Sequence, residues 1–195
     1  MNILLDVDDT LTDFVHTRNQ LIKKYIEDKK LPYKILDINN TKSAKVADWP
    51  LEECCKFWQE VGKDAQLMCP AQARAAEVVQ KLKAQGHKIV IVTARPDIYF
   101  EAEPYTRLWL EKQGIPFDKI IVGKQDKKQT MIDNNIDLVI DDSMQTITYA
   151  SELGINSLMY TTKENEEKEV PKHCTRVNSW TEIEEHLILT NEHKL

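Results

Sequence analysis

Asp6, Asp8, Asp9 and Asp13 fall within eight positions, directly after the aliphatic run ILL. Four carboxylates this close repel one another and are costly to gather without a cation. A second acidic pair, Asp141 and Asp142, closes another aliphatic run in VIDDS, and a third run ends at Thr93 in VTARP. Between these two, GKQDKKQT supplies Lys124, Lys127 and Lys128. Oxygen donors with no Cys or His beside them suit a hard ion, Mg²⁺ above Zn²⁺. Each feature alone has a plainer reading: an Asp after a strand caps a turn or a helix, and surface lysines are solvated. Only convergence would turn them into a metal cradle.

Convergence is what the elements predict. Residues 2–7, 88–93, 119–122, 137–141 and 155–160 are short, aliphatic and continuous rather than alternating, as strands covered on both faces should be. KLKAQGHKIVIV, WLEKQGIPFDKIIV, DNNIDLVID and SELGINSLMY share one grammar: an amphipathic helix, a Gly or Asn stop, then a strand. The fold class is therefore α/β, a doubly wound sheet. In such sheets ligands bind outside the carboxyl ends of the strands. If the strands are parallel, the acids, Thr93 and the lysines meet on one edge.

One gap breaks the rhythm: about 80 residues separate the first two strands, far more than a single crossover helix needs. Helices are expected at 13–29, 51–63 and 72–85, so 14–72 reads as an inserted helical subdomain, with 1–13 and 73–195 forming the core. TTKENEEKEVPKHCTRVNSW, after the fifth strand, reads as irregular with a solvated charge run, followed by a short final helix at 180–189.

A length of 195 residues suits one domain with such an insert. The net charge of −6 and the lack of a long basic run argue against a nucleic-acid polymer or an anionic membrane as partner. The four cysteines show no metal-ligand spacing and read as free thiols. With acid as early as Asp6 and no apolar run of membrane-spanning length, a cytoplasmic location is expected.

DVDDTLTDF, VTARP, a downstream lysine and IDDS resemble motifs I to IV of the haloacid dehalogenase (HAD) superfamily, most of whose members are Mg²⁺-dependent phosphatases. The resemblance spans about residues 6–142, and the opening acids with a helical insert resemble the deoxyribonucleotidase branch. It implies a Rossmann-like sheet of order 3-2-1-4-5 with a small helical cap. It further implies Asp6 as nucleophile and Asp8 as general acid and base, with Thr93 donating to a phosphoryl oxygen. Mg²⁺ would sit on the Asp6 side chain, the Asp8 backbone carbonyl and the Asp142 carboxylate. Asp141 would orient a metal-bound water, although the two acids could exchange roles. Lys128, with Met131 and Ile132 three and four positions on, fits the motif III lysine best; Lys127 is second and Lys124 third.

Substrate contacts are less well marked. Arg95 could reach phosphate. Cys54, Phe57, Trp58 and Val61 share a packing face at i, i+3, i+4 and i+7. Trp49, in the loop ADWP, is therefore the better candidate for a ring facing substrate. The expected function is Mg²⁺-dependent hydrolysis of a small phosphomonoester, nucleotidase-like, and a homo-oligomer is compatible with it. A sugar-phosphate phosphatase or another phosphotransferase is an alternative; a catalytically silent phosphate-binding or interaction domain is another, from a different class.

Overall fold

The computed structural model describes residues 1–95, 101–124 and 126–189. The five aliphatic runs become β1 (Asn2–Leu5), β2 (Lys88–Val92), β3 (Lys119–Ile121), β4 (Leu138–Asp141) and β5 (Asn156–Tyr160). All pair in parallel, and with β6 (Cys174–Val177) they form one sheet of order β3-β2-β1-β4-β5-β6.

Successive strand residues point to opposite faces, and both faces are covered. Ile3 and Leu5 pack with residues of α3 (Ala75–Ala84), α4 (Ala102–Lys112) and α7 (Trp180–Glu184), among them Val79, Trp109 and Trp180. Leu4 faces the other way, toward Met131 of α5 (Lys128–Asp133) and Ile147 of α6 (Met144–Glu152). This two-sided burial is why the strands read as continuous apolar runs. At the stop of α3, Gly86 takes φ +83°, a left-handed turn that favours glycine.

The stretch from β1 to α3 holds α1 (Phe14–Asp28), one 3₁₀ turn at Ser43–Lys45 and α2 (Leu51–Met68). These have a small core of their own, which includes Ile22, Tyr25, Val46, Trp49 and Phe57. Buried Arg18 and Asn19 on α1 pin the irregular stretch between the two helices by donating to the carbonyls of Ile38, Asn40 and Thr41. Where this segment leaves and rejoins the sheet, its ends pair: Thr12 bridges Ala71, and Gln72 N–H donates to Leu11 O at 2.7 Å.

One expectation needs correction. The irregular stretch after β5 hides the sixth strand, of which only Val177 is buried and which carries no aliphatic run. The final helix covers 180–189 as expected, α to Glu184 and a single π turn over Glu185–Leu189. No helix among the described residues is long and apolar enough to cross a membrane.

Candidate active site

The register of the sheet decides what meets at its carboxyl edge. Leu5 lies opposite Ile91 of β2 and Ile140 of β4, so the residues just after β1 stand between the ends of both neighbours. Asp6 N–H donates to Ile140 O at 3.0 Å, which carries the ladder one residue beyond the strand. Asp6, Asp141 and Asp142 thereby come together, with one carboxylate oxygen of each within 4.8 Å of the others. Asp6, Asp8, Thr93, Lys127, Asp141 and Asp142 all line one cavity of about 290 Å³.

Lys127 is the cation of this cluster. Its Nζ donates to Asp6 Oδ1 at 2.5 Å and to Asp141 Oδ2 at 2.7 Å, and the residue is buried. The preference for Lys128 is therefore corrected: Lys128 points outward and pairs with Glu152 at 2.6 Å. The reason is helical phase. Buried Met131 lies four residues after Lys127, whereas Ile132, four after Lys128, is half-exposed. Lys124 is exposed, and its backbone N–H donates to Thr93 O.

The charges are unevenly compensated. Burial, with Asp141 and Asp8 adding to it, pushes the Asp6 pKa up to about 7 against the pull of Lys127. Asp142 is raised well above the usual carboxylate range by burial and then by Asp141 and Asp6. Burial works against the Lys127 charge, but Asp141 and Asp6 outweigh it and raise its pKa, so it stays an ammonium. The Asp141 carboxylate is fully engaged, its second oxygen accepting from Ser143 N–H at 2.8 Å. The Asp142 carboxylate accepts no hydrogen bond from the described residues, and its backbone is held by Asn165, whose Nδ2 donates to Asp142 O at 2.8 Å.

Asp8 stands apart from the cluster, gripped by Arg95. The guanidinium donates from Nε to both Asp8 oxygens, at 3.1 and 2.9 Å, and from Nη2 to Oδ1 at 2.5 Å. Arg95 is itself buried, donates to Thr106 Oγ1 at 3.1 Å and lies over the Phe14 ring. So Arg95 is in the site, but the hydrogen bonds of its side chain to described residues go to Asp8 and Thr106. Between Asp8 and α1, Asp9 takes φ +60°, a left-handed turn that Asp tolerates, and its Oδ1 caps Val15 N–H at 2.9 Å. Burial raises the Asp9 pKa to about 7. Buried Thr93 Oγ1 accepts from Arg95 N–H at 3.4 Å, which leaves its own proton to donate.

Asp8 and Ala94 also border a second, larger cavity of about 400 Å³, walled by Phe14 and Trp58 among others. Here the expectation for Trp49 is corrected. Its ring is buried against Phe57, at 5.9 Å between centroids, because the loop before α2 turns it into the small core. Trp58, on the supposed packing face, lines the cavity instead. Its neighbour Phe57 is core, as the spacing implied. Asn165, Ser143 and Thr106 escaped the sequence reading. A lone Asn in a charge run or a Thr inside a helix carries no signal of the carbonyl or guanidinium it will hold.

A parallel sheet of this order, with acids at the ends of its two central strands and a lysine between them, defines a hydrolase of the haloacid dehalogenase type. Residues 1–193 match the model of the family described as 5′ nucleotidase, deoxy (Pyrimidine), cytosolic type C, and the chain belongs to that family. A Bacillus cereus protein named "Putative nucleotidase" is 29% identical over 193 residues, spanning 94% of this chain and 96% of the relative. A HAD family hydrolase from Deinococcus radiodurans, solved with bound phosphate and sodium, superposes with a TM-score of 0.68 at 16% identity, over 97% of this chain and 96% of that one. A Bacillus subtilis HAD-type protein bound to magnesium gives 0.66 at 17% identity, over 95% and 97%. At those identities the likeness to the solved structures concerns the fold.

Proposed function

We propose that this chain is a magnesium-dependent phosphohydrolase of small phosphomonoesters, nucleotidase-like in substrate, with residues 14–72 serving as its cap. One observation carries the reading: carboxylates from the ends of two adjacent strands converge on a single buried lysine. One ammonium against three carboxylates leaves the cluster short of positive charge, and the raised pKa values of Asp6 and Asp142 express that shortage. An all-oxygen donor set fits a hard divalent cation. Asp6 and Asp142 would hold Mg²⁺ through their carboxylates and Asp8 through its backbone carbonyl; when bound, the ion supplies charge neutralisation and polarises a phosphoryl oxygen. Asp141, whose oxygens are taken by Lys127 and Ser143, acts as an orienting group.

In this reading an Asp6 oxygen attacks phosphorus, the alcohol departs, and an aspartyl-phosphate forms. Asp8 gives a proton to the departing alkoxide. It then takes one from the water that attacks phosphorus, which frees inorganic phosphate and restores Asp6. Lys127 and the Thr93 hydroxyl stabilise charge on the phosphoryl oxygens. General acid catalysis alone supplies about 10²–10⁴-fold, against up to ~10²¹ for monoester hydrolysis. The preassembled charges must therefore supply most of the effect.

The aromatic wall of the cavity beside Asp8, where Phe14 and Trp58 stand 6.3 Å apart, supports a leaving group that carries a flat ring, as a nucleotide does. The test is phosphate release from nucleoside monophosphates and sugar phosphates, with and without Mg²⁺, in the wild type and Asp6→Asn. Metal-dependent release that vanishes in Asp6→Asn is expected. A folded wild type inert on the whole panel would leave a phosphate-binding domain.

A further inference from the structure

Asp142 is the acid of the cluster with the fewest restraints of its own. Asp141 beside it is locked, with Oδ2 on Lys127 Nζ and Oδ1 on Ser143 N–H. The Asp142 carboxylate has no such partner among the described residues. It stands one residue beyond the last pair of the β4–β5 ladder, Asp141 with Met159. The aim of its side chain therefore depends on how firmly its peptide is held.

That peptide is held from outside the cluster. Asn165, 1% exposed, donates from Nδ2 to Asp142 O and to Tyr160 O, both at 2.8 Å. Its Oδ1 accepts from Thr162 N–H and from Arg176 Nη1, both at 3.0 Å. Each half of the amide has two partners, and turning it over would set donors against donors and an oxygen against two carbonyls. Arg176 completes the brace: its Nη2 donates to Asn165 O at 3.0 Å and to Lys168 O at 2.6 Å. It sits on β6 in register with Met159, so the edge strand reaches the metal-facing edge through this one amide. The turn after β5 has closing bonds of its own, among them Asn165 N–H to Thr162 O at 3.1 Å. The bond it does not need is the one to Asp142, 23 residues back in the chain.

We propose that Asn165 is the positioning residue of Asp142, fixing its peptide so that the carboxylate meets a divalent cation, and that Arg176 sets the Asn165 amide. The inference rests on the phosphohydrolase reading above and adds to it a positioning pair from the turn after β5 and the edge strand. Neither residue touches the ion or the phosphoryl group. Groups behind a metal ligand act by removing the freedom of that ligand, and losing one costs about 10–100-fold in affinity. The deficit then lies in the binding of the ion, and excess ion makes it good. A role confined to holding the turn together would lower stability and leave that affinity alone.

The test is calorimetric titration of the full chain with Mg²⁺, without substrate, in wild type, Asn165→Ala, Arg176→Met and the double variant, each at a temperature where circular dichroism shows it folded. Asn165→Ala is expected to raise Kd by about 10–100-fold. Arg176→Met should raise it less, and adding it to Asn165→Ala should change little further, because it acts through the same amide. In phosphate release from phenyl phosphate, the half-saturating Mg²⁺ concentration should rise with Kd while kcat at saturating Mg²⁺ stays within about twofold. Folded variants that are less stable but bind Mg²⁺ within about twofold of wild type overturn the proposal. Should Asn165→Ala not fold, Arg176→Met decides, and unchanged affinity there overturns it too. A wild type that binds Mg²⁺ but hydrolyses no ester defeats the phosphohydrolase reading alone, since the titration still tests the pair; a wild type that binds no Mg²⁺ overturns both.

Discussion

Lys127 Nζ stands 2.5 Å from Asp6 Oδ1 and 2.7 Å from Asp141 Oδ2, so one ammonium ties together the ends of two neighbouring strands. Removing it leaves two buried carboxylates facing each other. Lys127→Met is expected to lower turnover by about 10²–10³-fold. Lys127→Arg should not restore it, because a planar fork does not fit where a compact ammonium is enclosed. Lys128→Met, which breaks only the half-exposed pair with Glu152, should keep turnover within about twofold and leave stability little changed. Steady-state kinetics and denaturant unfolding of the three variants check this. Strong inactivation by Lys128→Met alone would reverse the assignment.

The acid cluster should make stability and metal binding depend on pH in a definite direction. Burial and its acidic neighbours raise the Asp6 pKa from 3.8 to about 7, and Asp142 is raised as well. Between those two values the folded chain binds more protons than the unfolded one. The metal-free protein therefore loses stability as pH rises through about 4 to 7. A cation that takes the place of those protons should relieve the loss. Mg²⁺ is expected to raise Tm more at about pH 8 than at about pH 5.5. Thermal melting with and without the ion at both pH values is the measurement, and a larger shift at acid pH would remove the carboxylates as its site.

Buried Arg95 and part-buried Asp8 form a forked pair at the boundary of the two cavities. Asp8→Asn should retain the Mg²⁺-induced rise in Tm, since only the Asp8 backbone would touch the ion, while turnover falls by about 10²–10⁴-fold. Arg95→Ala frees the Asp8 carboxylate to wander and should lower kcat by about 10²-fold. Arg95→Lys should recover little of it, because a point charge cannot replace the fork that reaches both Asp8 and Thr106. Loss of the Mg²⁺ effect in Asp8→Asn would show that its side chain, too, is needed by the metal.

The acidic loop after β1 is buttressed from the far end of the chain: Trp180 is fully buried, and its Nε1 donates to Thr10 O at 3.0 Å. Trp180→Phe, which keeps most of the packing and leaves that carbonyl unpaired, should cost about 1–3 kcal/mol. Trp180→Ala should cost about 3–5 kcal/mol. Both are read by urea unfolding. Turnover of Trp180→Phe at a temperature where it is folded should also fall, since the loop it supports carries Asp8.

Local chemistry was enough to mark much of this protein in the sequence. The aliphatic runs before Asp6, Thr93 and Asp141 are strands because residues buried on both faces of a parallel sheet must be apolar throughout. The acids that follow them could be singled out because such a concentration of like charge is unfavourable unless something gathers around it. Strand β6 escaped because an edge strand needs little apolar surface, so Cys174–Val177 looks like the charged loop around it. The choice between Lys127 and Lys128 turned on one residue of helical phase, which neighbouring apolar residues on both faces of a six-residue helix do not settle. Trp49 and Trp58 exchanged their expected places because burial of a ring depends on what other segments bring against it. The hold of Asn165 on the Asp142 carbonyl is likewise a fact of three dimensions. Sequence by itself determined which groups were available and which buried segments would be strands, for those follow from side-chain chemistry and periodicity. Only the tertiary structure decided which group faces which, because contacts between residues as far apart as Asp8 and Arg95, or Asp6 and Lys127, are set by sheet register and helix packing.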